Sequence, residues 1–187
     1  MIEEHFAALH NALESTRYYA PRIRAWGEHL ATRLTTGSRL LTCGNGGSAA
    51  EAQHLTGELV GRFLSERQPL SAIALHADTS AGTAIINDYG GHELFARQVR
   101  AHGRPGDVLI ALSTSGSSQN VVTAVKAASE LGVTTWALTG PAPNPLAALC
   151  DDAIAVEAPT TATVQEVHLA LVHALCAVLD DAIGVTA

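Results

Sequence analysis

The sequence predicts a doubly wound α/β fold, in which helices cover both faces of a parallel sheet. From residue 37 onward, short apolar runs end in Gly- or Ser-rich turns, and a helical segment follows each of them. This alternation is typical of parallel strands joined by helices. The chain has 187 residues, too few for two ordinary domains with separate cores. We therefore expect a single domain over residues 1–187.

Two amphipathic helices are predicted in residues 1–36, ahead of the sheet. Apolar residues recur at helical spacing in two groups: Ile2, Phe6, Leu9 and Leu13, then Ile23, Trp26, Leu30 and Leu34. Pro21 separates the groups, and Gly37 ends the second helix. The sheet and a last helix then occupy residues 37–187.

Five short apolar runs are the predicted strands. They are Arg39–Cys43, Leu70–Leu75, Val108–Leu112, Thr134–Leu138 and Ala153–Val156. Continuous apolar runs of this length are typical of strands that are buried on both faces.

The last segment, Thr163 to Ile183, is predicted to form a helix that is apolar nearly all round. Between Leu169 and Leu179 the only polar side chain is that of His173. Such a helix either passes through the core or is covered by another subunit. For a chain of this size we favour coverage by another subunit.

Charge and cysteine content exclude several classes of protein. The formal charge is −7 and the sequence has no run of Lys or Arg, which argues against nucleic-acid and anionic-membrane partners. The three cysteines are far apart and form no metal-binding motif, which favours a reducing, cytoplasmic compartment. The N-terminus lacks the apolar core of a signal peptide, and no apolar stretch approaches 18 residues, so we expect neither secretion nor a membrane span.

Two loops follow predicted strands and precede helices, where backbone N–H groups can hold an anion. The first is Gly-rich, Cys43-Gly44-Asn45-Gly46-Gly47-Ser48, and serves equally well as a tight turn. The second, Ser113-Thr114-Ser115-Gly116-Ser117-Ser118, places five hydroxyls at one helix N-terminus. Capping requires only one of them. The surplus favours a phosphate group, which offers a negative charge and three acceptor oxygens.

Two further pairs lie on one face of their helices. His54 and Glu58 are four residues apart, which places their side chains about 5 to 6 Å from each other. A metal or a sugar can bridge such a pair, but an exposed helical pair has the same spacing. Gln165 and His173 are eight residues apart and project to roughly the same side of the last helix. By periodicity alone, His173 is more often a core histidine.

These segments together resemble the phosphoheptose isomerase family of sugar isomerase (SIS) domains. The resemblance rests on GNGGSAAEAQHLTGELVGRF (44–63), ADTSAGTAIINDYG (77–90), GRPGDVLIALSTSGSSQNV (103–121) and TVQEVHLALVH (163–173), and covers nearly the whole chain. It implies a three-layer fold with a five-stranded parallel sheet of flavodoxin-like order. It also implies a homotetramer that converts sedoheptulose 7-phosphate to D-glycero-D-manno-heptose 7-phosphate through an enediol.

The resemblance also implies roles for individual residues. Glu58 and His173 match the family's acid/base pair. One zinc ion per subunit is expected among His54, Glu58, Gln165 and His173. Contacts with the phosphosugar substrate are expected from Asn45, Gly46, Gly47, Ser48, Glu58, Asn87, Asp88, Ser113, Thr114, Ser115, Ser118 and Gln165. Some relatives carry an acid where this chain has Ala162, so no carboxylate role is expected there, and Glu166 is the nearest acid.

Two alternatives stay open at this point. One is a non-catalytic SIS module that binds a protein partner; such relatives lack the acid/base pair and have Arg where Ser115 stands. The other is an SIS isomerase of a different phosphosugar. Among weaker candidates, Asp78 to Ser80 could cap a helix or contact substrate, Arg62 could reach substrate, and His168 is predicted to be structural.

Overall fold

The five predicted strands form one parallel sheet. In the computed structural model, which describes residues 1–185, the strands are Leu40–Cys43 (β1), Ala72–Ala74 (β2), Val108–Ser113 (β3), Thr134–Thr139 (β4) and Asp152–Ala155 (β5). Their spatial order is β2-β1-β3-β4-β5. Every neighbouring pair is parallel. This is the flavodoxin-like order that the resemblance implied.

Helices connect the strands and flank the sheet. They are Ile2–Thr16 (α1), Ala20–Thr35 (α2), Gly47–Val60 (α3), Thr79–Tyr89 (α4), Ala96–His102 (α5), Gln119–Glu130 (α6), Pro145–Leu149 (α7) and Thr161–Ala182 (α8). Single 3₁₀ turns lie at Arg17–Tyr19 and Gly91–Glu93. Pro21 lies in the first turn of α2, where its missing N–H has no helical partner to lose.

The sheet separates two cores, one on each face. In β3, Val108, Ile110 and Leu112 face the layer of α1, α2, α3 and α8. The alternate residues Leu109 and Ala111 face α5, α6 and α7. All five are fully buried, as the continuous apolar runs predicted.

Helix α8 passes through the first core. Its residues Leu171, Val172, Leu175, Cys176 and Leu179 are buried within one chain by α1, α2, α3 and the sheet. The expectation that another subunit covers these residues is therefore wrong. Between its two ends, α8 presents to solvent a stripe of small residues, Ala170, Ala174 and Ala177.

Helix α8 has the length and composition of a membrane span, with 22 residues and a mean hydropathy of 1.5. Half of that stretch is buried against the rest of the chain. The helix also carries a buried histidine, His168, and a buried acid, Asp180. These features are typical of the core helix of a globular protein.

Helix α1 forms where the apolar spacing predicted it, but much of its apolar face is uncovered. Ile2 and Phe6 are 67% and 63% exposed, and Leu13 is 38% exposed. Leu13 lines an apolar groove of about 290 Å³ between α1, α2 and α8, together with Ala170, Ala174 and Val178.

Candidate active site

Strands β1 and β3 place the two predicted loops side by side. The chain continues from β1 to one side of the sheet and from β3 to the other, which opens a crevice at their carboxyl ends. Asn45 in the first loop and Asn120 in the first turn of α6 are joined across this crevice by two hydrogen bonds of 2.9 Å between their side-chain amides. Sequence reasoning missed Asn120, whose only signal was its place in the first turn after the second loop.

The first loop brings α8 against the start of α3. Gly46 has φ +55° and precedes Gly47, the first residue of α3. A methyl group on Gly47 would lie 2.6 Å from both Nε2 and Oε1 of Gln165. Because glycine stands here, the Gln165 amide can lie directly on this loop. Ser48, also predicted to contact substrate, is buried in the first turn of α3.

The hydroxyls of the second loop bond to one another. Ser113 Oγ lies 3.1 Å from Ser118 Oγ and 3.4 Å from Ser115 Oγ, and Ser117 Oγ donates to Ser115 Oγ at 3.2 Å. Ser118 is the N-cap of the 12-residue helix α6, but its hydroxyl accepts no bond from the first turn. The cluster is therefore not used for capping. Thr114 lies in the same loop. Its carbonyl oxygen is so close to Gly140 that a side chain at position 140 would collide with this oxygen.

Three side chains converge where α3 and α8 run side by side. His54 Nε2 lies 2.9 Å from His173 Nε2 and 3.1 Å from Glu58 Oε1. One ligand atom from each residue falls within 4.8 Å of the other two. The ring of Phe63 lies 5.8 Å from that of His173. The His54 side chain is 41% exposed and that of Glu58 20%, so solvent or a ligand can reach the cluster.

The donor atoms of this cluster fit a transition metal. His54 Nε2 carries at most one hydrogen, so it can donate to Glu58 or to His173 but not to both. Two imidazole nitrogens and a carboxylate oxygen that face one point form the ligand set of catalytic zinc sites. Gln165, the fourth predicted ligand, lies eight residues earlier on α8, with its amide at Gly47.

Comparisons with known proteins identify the family of this chain. The model of the SIS domain family matches residues 4–140. The phosphoheptose isomerase of Streptomyces coelicolor is 60% identical over 96% of this chain and 78% of its own length. The chain belongs to the phosphoheptose isomerase family.

Solved structures of this family superpose on nearly the whole chain. The phosphoheptose isomerase of Neisseria gonorrhoeae has a TM-score of 0.89 at 42% identity, covering 96% of this chain and 97% of its own. That of Francisella tularensis has a TM-score of 0.90 at 36% identity, with 96% of both chains covered. The fold and the membership of an isomerase family that the motifs predicted are confirmed.

Two substrate residues expected from the phosphoheptose isomerase resemblance stand apart from this cluster. Asn87 and Asp88 lie near the end of α4, where both are exposed and Asn87 donates to Asp88 Oδ1 at 2.8 Å. Within residues 1–185, no hydrogen bond or ion pair connects either side chain to the loops or to the histidine pair. Their contact with substrate stays a prediction.

The weaker candidates have structural partners. Asp78 caps α4 by accepting a bond from the Ala81 N–H at 3.0 Å. Arg62 donates to the exposed Leu64 carbonyl. His168 is fully buried and bonds the Thr139 carbonyl at 3.0 Å, which confirms its structural role. Glu166 pairs with His5 at 2.9 Å and so ties α8 to α1.

Cavity size does not identify the site. A cavity of about 760 Å³ lies between α3, α4, α5 and the edge strand β2. It contains Asp78 but none of the predicted catalytic or metal-binding residues. The site is marked by the convergence of side chains instead.

A largely buried acid, Glu51, and a fully buried histidine, His168, lie behind the site. Glu51 Oε2 is 3.8 Å from His168 Nδ1, and neither atom has a hydrogen-bond partner among the described residues. Burial raises the pKa of Glu51 to about 7. Burial lowers the pKa of His168 to about 4, although its bond to the Thr139 carbonyl opposes this. Both groups are therefore neutral between pH 4 and 7.

We expect Glu51→Gln to stabilise the chain at pH 8.5 but not at pH 5.5. Because the folded pKa of Glu51 lies above its ordinary 4.5, this group's contribution falls as pH rises from 4.5 to about 7. His168 has the opposite slope between about 4 and 6.5, so only a comparison with the variant isolates Glu51. The melting temperature should rise by about 2 to 4 °C for each kcal/mol gained.

The matched control for this titration is Glu130→Gln, at an exposed position on α6. It should shift the melting temperature equally at both pH values. If Glu51→Gln is no more stable than wild type at pH 8.5, then ionisation of Glu51 does not lower the stability of the fold.

Proposed function

We propose that this chain interconverts sedoheptulose 7-phosphate and D-glycero-D-manno-heptose 7-phosphate through an enediol. The observation that carries the proposal is the convergence of His54, Glu58 and His173 in a chain of the phosphoheptose isomerase family. The alternative of a non-catalytic protein-binding module has no support, because the chain retains Glu58, Ser115 and His173.

The proposed phosphate site is the hydroxyl cluster of the second loop. Ser115 and Ser118 both lie within hydrogen-bond reach of Ser113 at the N-terminus of α6. An incoming phosphate can replace these mutual bonds with bonds to its own oxygens. The partial positive charge of the helix N-terminus favours the dianion. Across the crevice, the proposed sugar contacts are Asn45, Gly46 and Gly47, and the Gln165 amide lies against Gly47.

The proposed acid/base pair is Glu58 and His173. Isomerisation moves a proton between C1 and C2, so one group removes a carbon-bound proton and the other balances charge at the oxygens. A carboxylate and an imidazole that both contact His54 have suitable chemistry and lie close enough to serve one substrate. His54 Nε2 lies within 3.1 Å of both groups and can donate a hydrogen bond to one of them at a time.

We further propose one zinc ion per subunit, held by His54, Glu58 and His173 with Gln165 as the fourth ligand. When bound, zinc polarises the substrate carbonyl and stabilises negative charge on the enediolate oxygens. The support is the donor set, two imidazoles and a carboxylate open to solvent on one side.

A homotetramer in the cytoplasm is the proposed assembly and location. The groove beside the alanine stripe of α8 and the exposed Ile2 and Phe6 supply apolar surface for subunit contacts. Asn87 and Asp88 could then reach the substrate bound by a neighbouring chain. The charge of −7 gives no support for nucleic-acid or membrane partners.

The test is turnover of sedoheptulose 7-phosphate by the purified chain, before and after chelation. We expect turnover that is lost with the metal and restored by zinc. Ser115→Ala should raise KM by roughly 10- to 100-fold, since a hydrogen bond to a charged group contributes about 1.5 to 3 kcal/mol. Free sedoheptulose should be a poor substrate for the same reason.

Two results would contradict this proposal. Efficient turnover of the free sugar would show that the hydroxyl cluster is a structural turn and does not bind phosphate. Turnover of a hexulose phosphate in place of the heptulose would favour the other isomerase class. The matched control is Ser129→Ala on α6, far from the loop, which should leave KM unchanged.

A further inference from the structure

A buried arginine that the proposed chemistry does not use lies just beyond α3. The Arg67 side chain is 2% exposed and sits in the segment between α3 and β2. Its guanidinium donates to Asp180 Oδ1 at 2.7 Å, to the Glu58 carbonyl at 2.7 Å and to the Leu59 carbonyl at 2.9 Å. A longer bond of 3.2 Å reaches the Gln68 carbonyl.

Stability alone is a weak reason for such a pair. The Asp180 side chain is only 8% exposed, so both charges have lost their water. Buried ion pairs often contribute no more to folding than apolar residues of the same shape, because desolvation offsets their attraction. The position of this pair in the fold gives a better account of it.

The Arg67 guanidinium is hydrogen-bonded to the last turn of α3, which carries Glu58. Helix α3 ends at Val60, so its last carbonyls have no donor from a following helical turn. Gly61 N–H bonds the Gly57 carbonyl, Arg67 bonds those of Glu58 and Leu59, and Leu70 N–H also bonds that of Leu59. The backbone of Glu58 is thus held directly by the guanidinium.

On the other side, Asp180 belongs to the helix that carries His173. The two residues are seven positions apart on α8, about two turns, and so share one face of the helix. One guanidinium therefore connects the backbone of Glu58 to the face of α8 from which His173 projects.

We propose that Arg67 and Asp180 are positioning residues that fix the separation of Glu58 and His173. The proposal rests on the acid/base roles of these two residues in the proposed function. Without the pair, the end of α3 can shift against α8 while the phosphate loop, on β3 and α6, stays in place. The rate of the chemical step and the affinity for the metal should then fall, whereas the affinity for the phosphate group should not change.

The test compares Arg67→Met, Arg67→Lys and Asp180→Asn with wild type. For Arg67→Met and Asp180→Asn we expect kcat to fall by about 10- to 100-fold, the usual effect of losing a group that orients a catalytic residue. KM for sedoheptulose 7-phosphate should stay within about threefold, since uniform binding is retained. Arg67→Lys should recover part of kcat, because an ammonium replaces the charge but not the planar fork.

Arg39→Met is the matched control. It also removes a guanidinium from a buried carboxylate, that of Asp107, 3.6 Å away and 4% exposed. Arg39 lies at the amino end of β1, whereas the site follows the carboxyl ends of β1 and β3. Asp107 keeps its two backbone N–H bonds in this variant. Its kcat should equal that of wild type even if its melting temperature falls.

Cobalt binding to the metal-free protein provides a readout that does not depend on turnover. We expect Arg67→Met to weaken Co²⁺ affinity about 10- to 100-fold in absorption titrations, since displaced ligands no longer converge. Wild-type kcat and Co²⁺ affinity in folded Arg67→Met would overturn the proposal. If that variant does not fold, the same two measurements on Asp180→Asn decide.

Comparing these variants with Glu58→Gln shows whether a failure concerns the positioning role or the proposed function itself. Inactive Glu58→Gln beside fully active Arg67→Met and Asp180→Asn rejects only the positioning role. Fully active Glu58→Gln rejects the acid/base assignment, and the positioning proposal with it.

Discussion

Replacing Glu58 by Gln, or His173 by Asn, is expected to lower kcat by about 10² to 10⁴, the usual contribution of a general acid or base. Both changes keep the approximate shape of the side chain and remove its ability to exchange a proton. Neither residue is fully buried, so the fold should survive. Steady-state kinetics on variants with wild-type circular dichroism measure the effect.

The controls for this pair are Glu14→Gln and His10→Asn, both at exposed positions of α1. They make the same chemical changes away from the cluster and should retain kcat within about twofold. A folded Glu58 or His173 variant with near wild-type kcat removes that residue from the mechanism. The same result for both variants leaves the cluster without a catalytic role.

The positions of the strands were predictable because a strand buried on both faces leaves a continuous apolar run in the sequence. The first and last residues of the edge strand were not predictable. The run Leu70–Leu75 predicted a strand of six residues, yet only Ala72–Ala74 pairs with β1. Leu70 and Leu75 are buried all the same. An apolar run reports burial, whereas strand length depends on the hydrogen-bonding partner, and β2 has a neighbour on one side only.

The two halves of the active-site cluster differ in how far the sequence could predict them. The four-residue spacing of His54 and Glu58 identifies a pair on one helix face. His173 lies 119 residues from His54, and only the packing of α8 on α3 brings them together. Family resemblance supplied that contact in advance, whereas periodicity alone favoured a core histidine. Arg67 lies in a connecting segment without a motif, so its contact with Glu58 had no sequence signal.

The sequence also could not predict which elements cover the apolar faces of α8. An apolar helix shows that neighbours exist but not whether they belong to the same chain. The structure supplies α1, α2 and α3 as neighbours, which changes the meaning of a charge at Leu175. A lysine there tests the fold of one chain and not the contact between subunits.

Leu175→Lys should therefore unfold the chain or lower its melting temperature by roughly 10 °C or more. Leu175 is 3% exposed and lies among the apolar side chains of the first core. An uncompensated buried charge costs about 3 to 5 kcal/mol, a large part of the stability of an ordinary domain. Thermal unfolding at fixed protein concentration measures it. A variant as stable as wild type would contradict the packing of α8.

The neighbouring substitution Ala174→Lys separates folding from assembly. Ala174 is exposed and lines the groove with Leu13 and Val178, so a lysine there can reach water in a single chain. If that groove is a subunit contact, the ammonium is buried only on association, and Ala174→Lys should dissociate the assembly while the chain stays folded. Light scattering and circular dichroism on the same sample distinguish the two effects. An Ala174→Lys variant with the wild-type assembly mass would exclude this groove as the contact. A wild type that is monomeric and fully active would reject the tetramer itself.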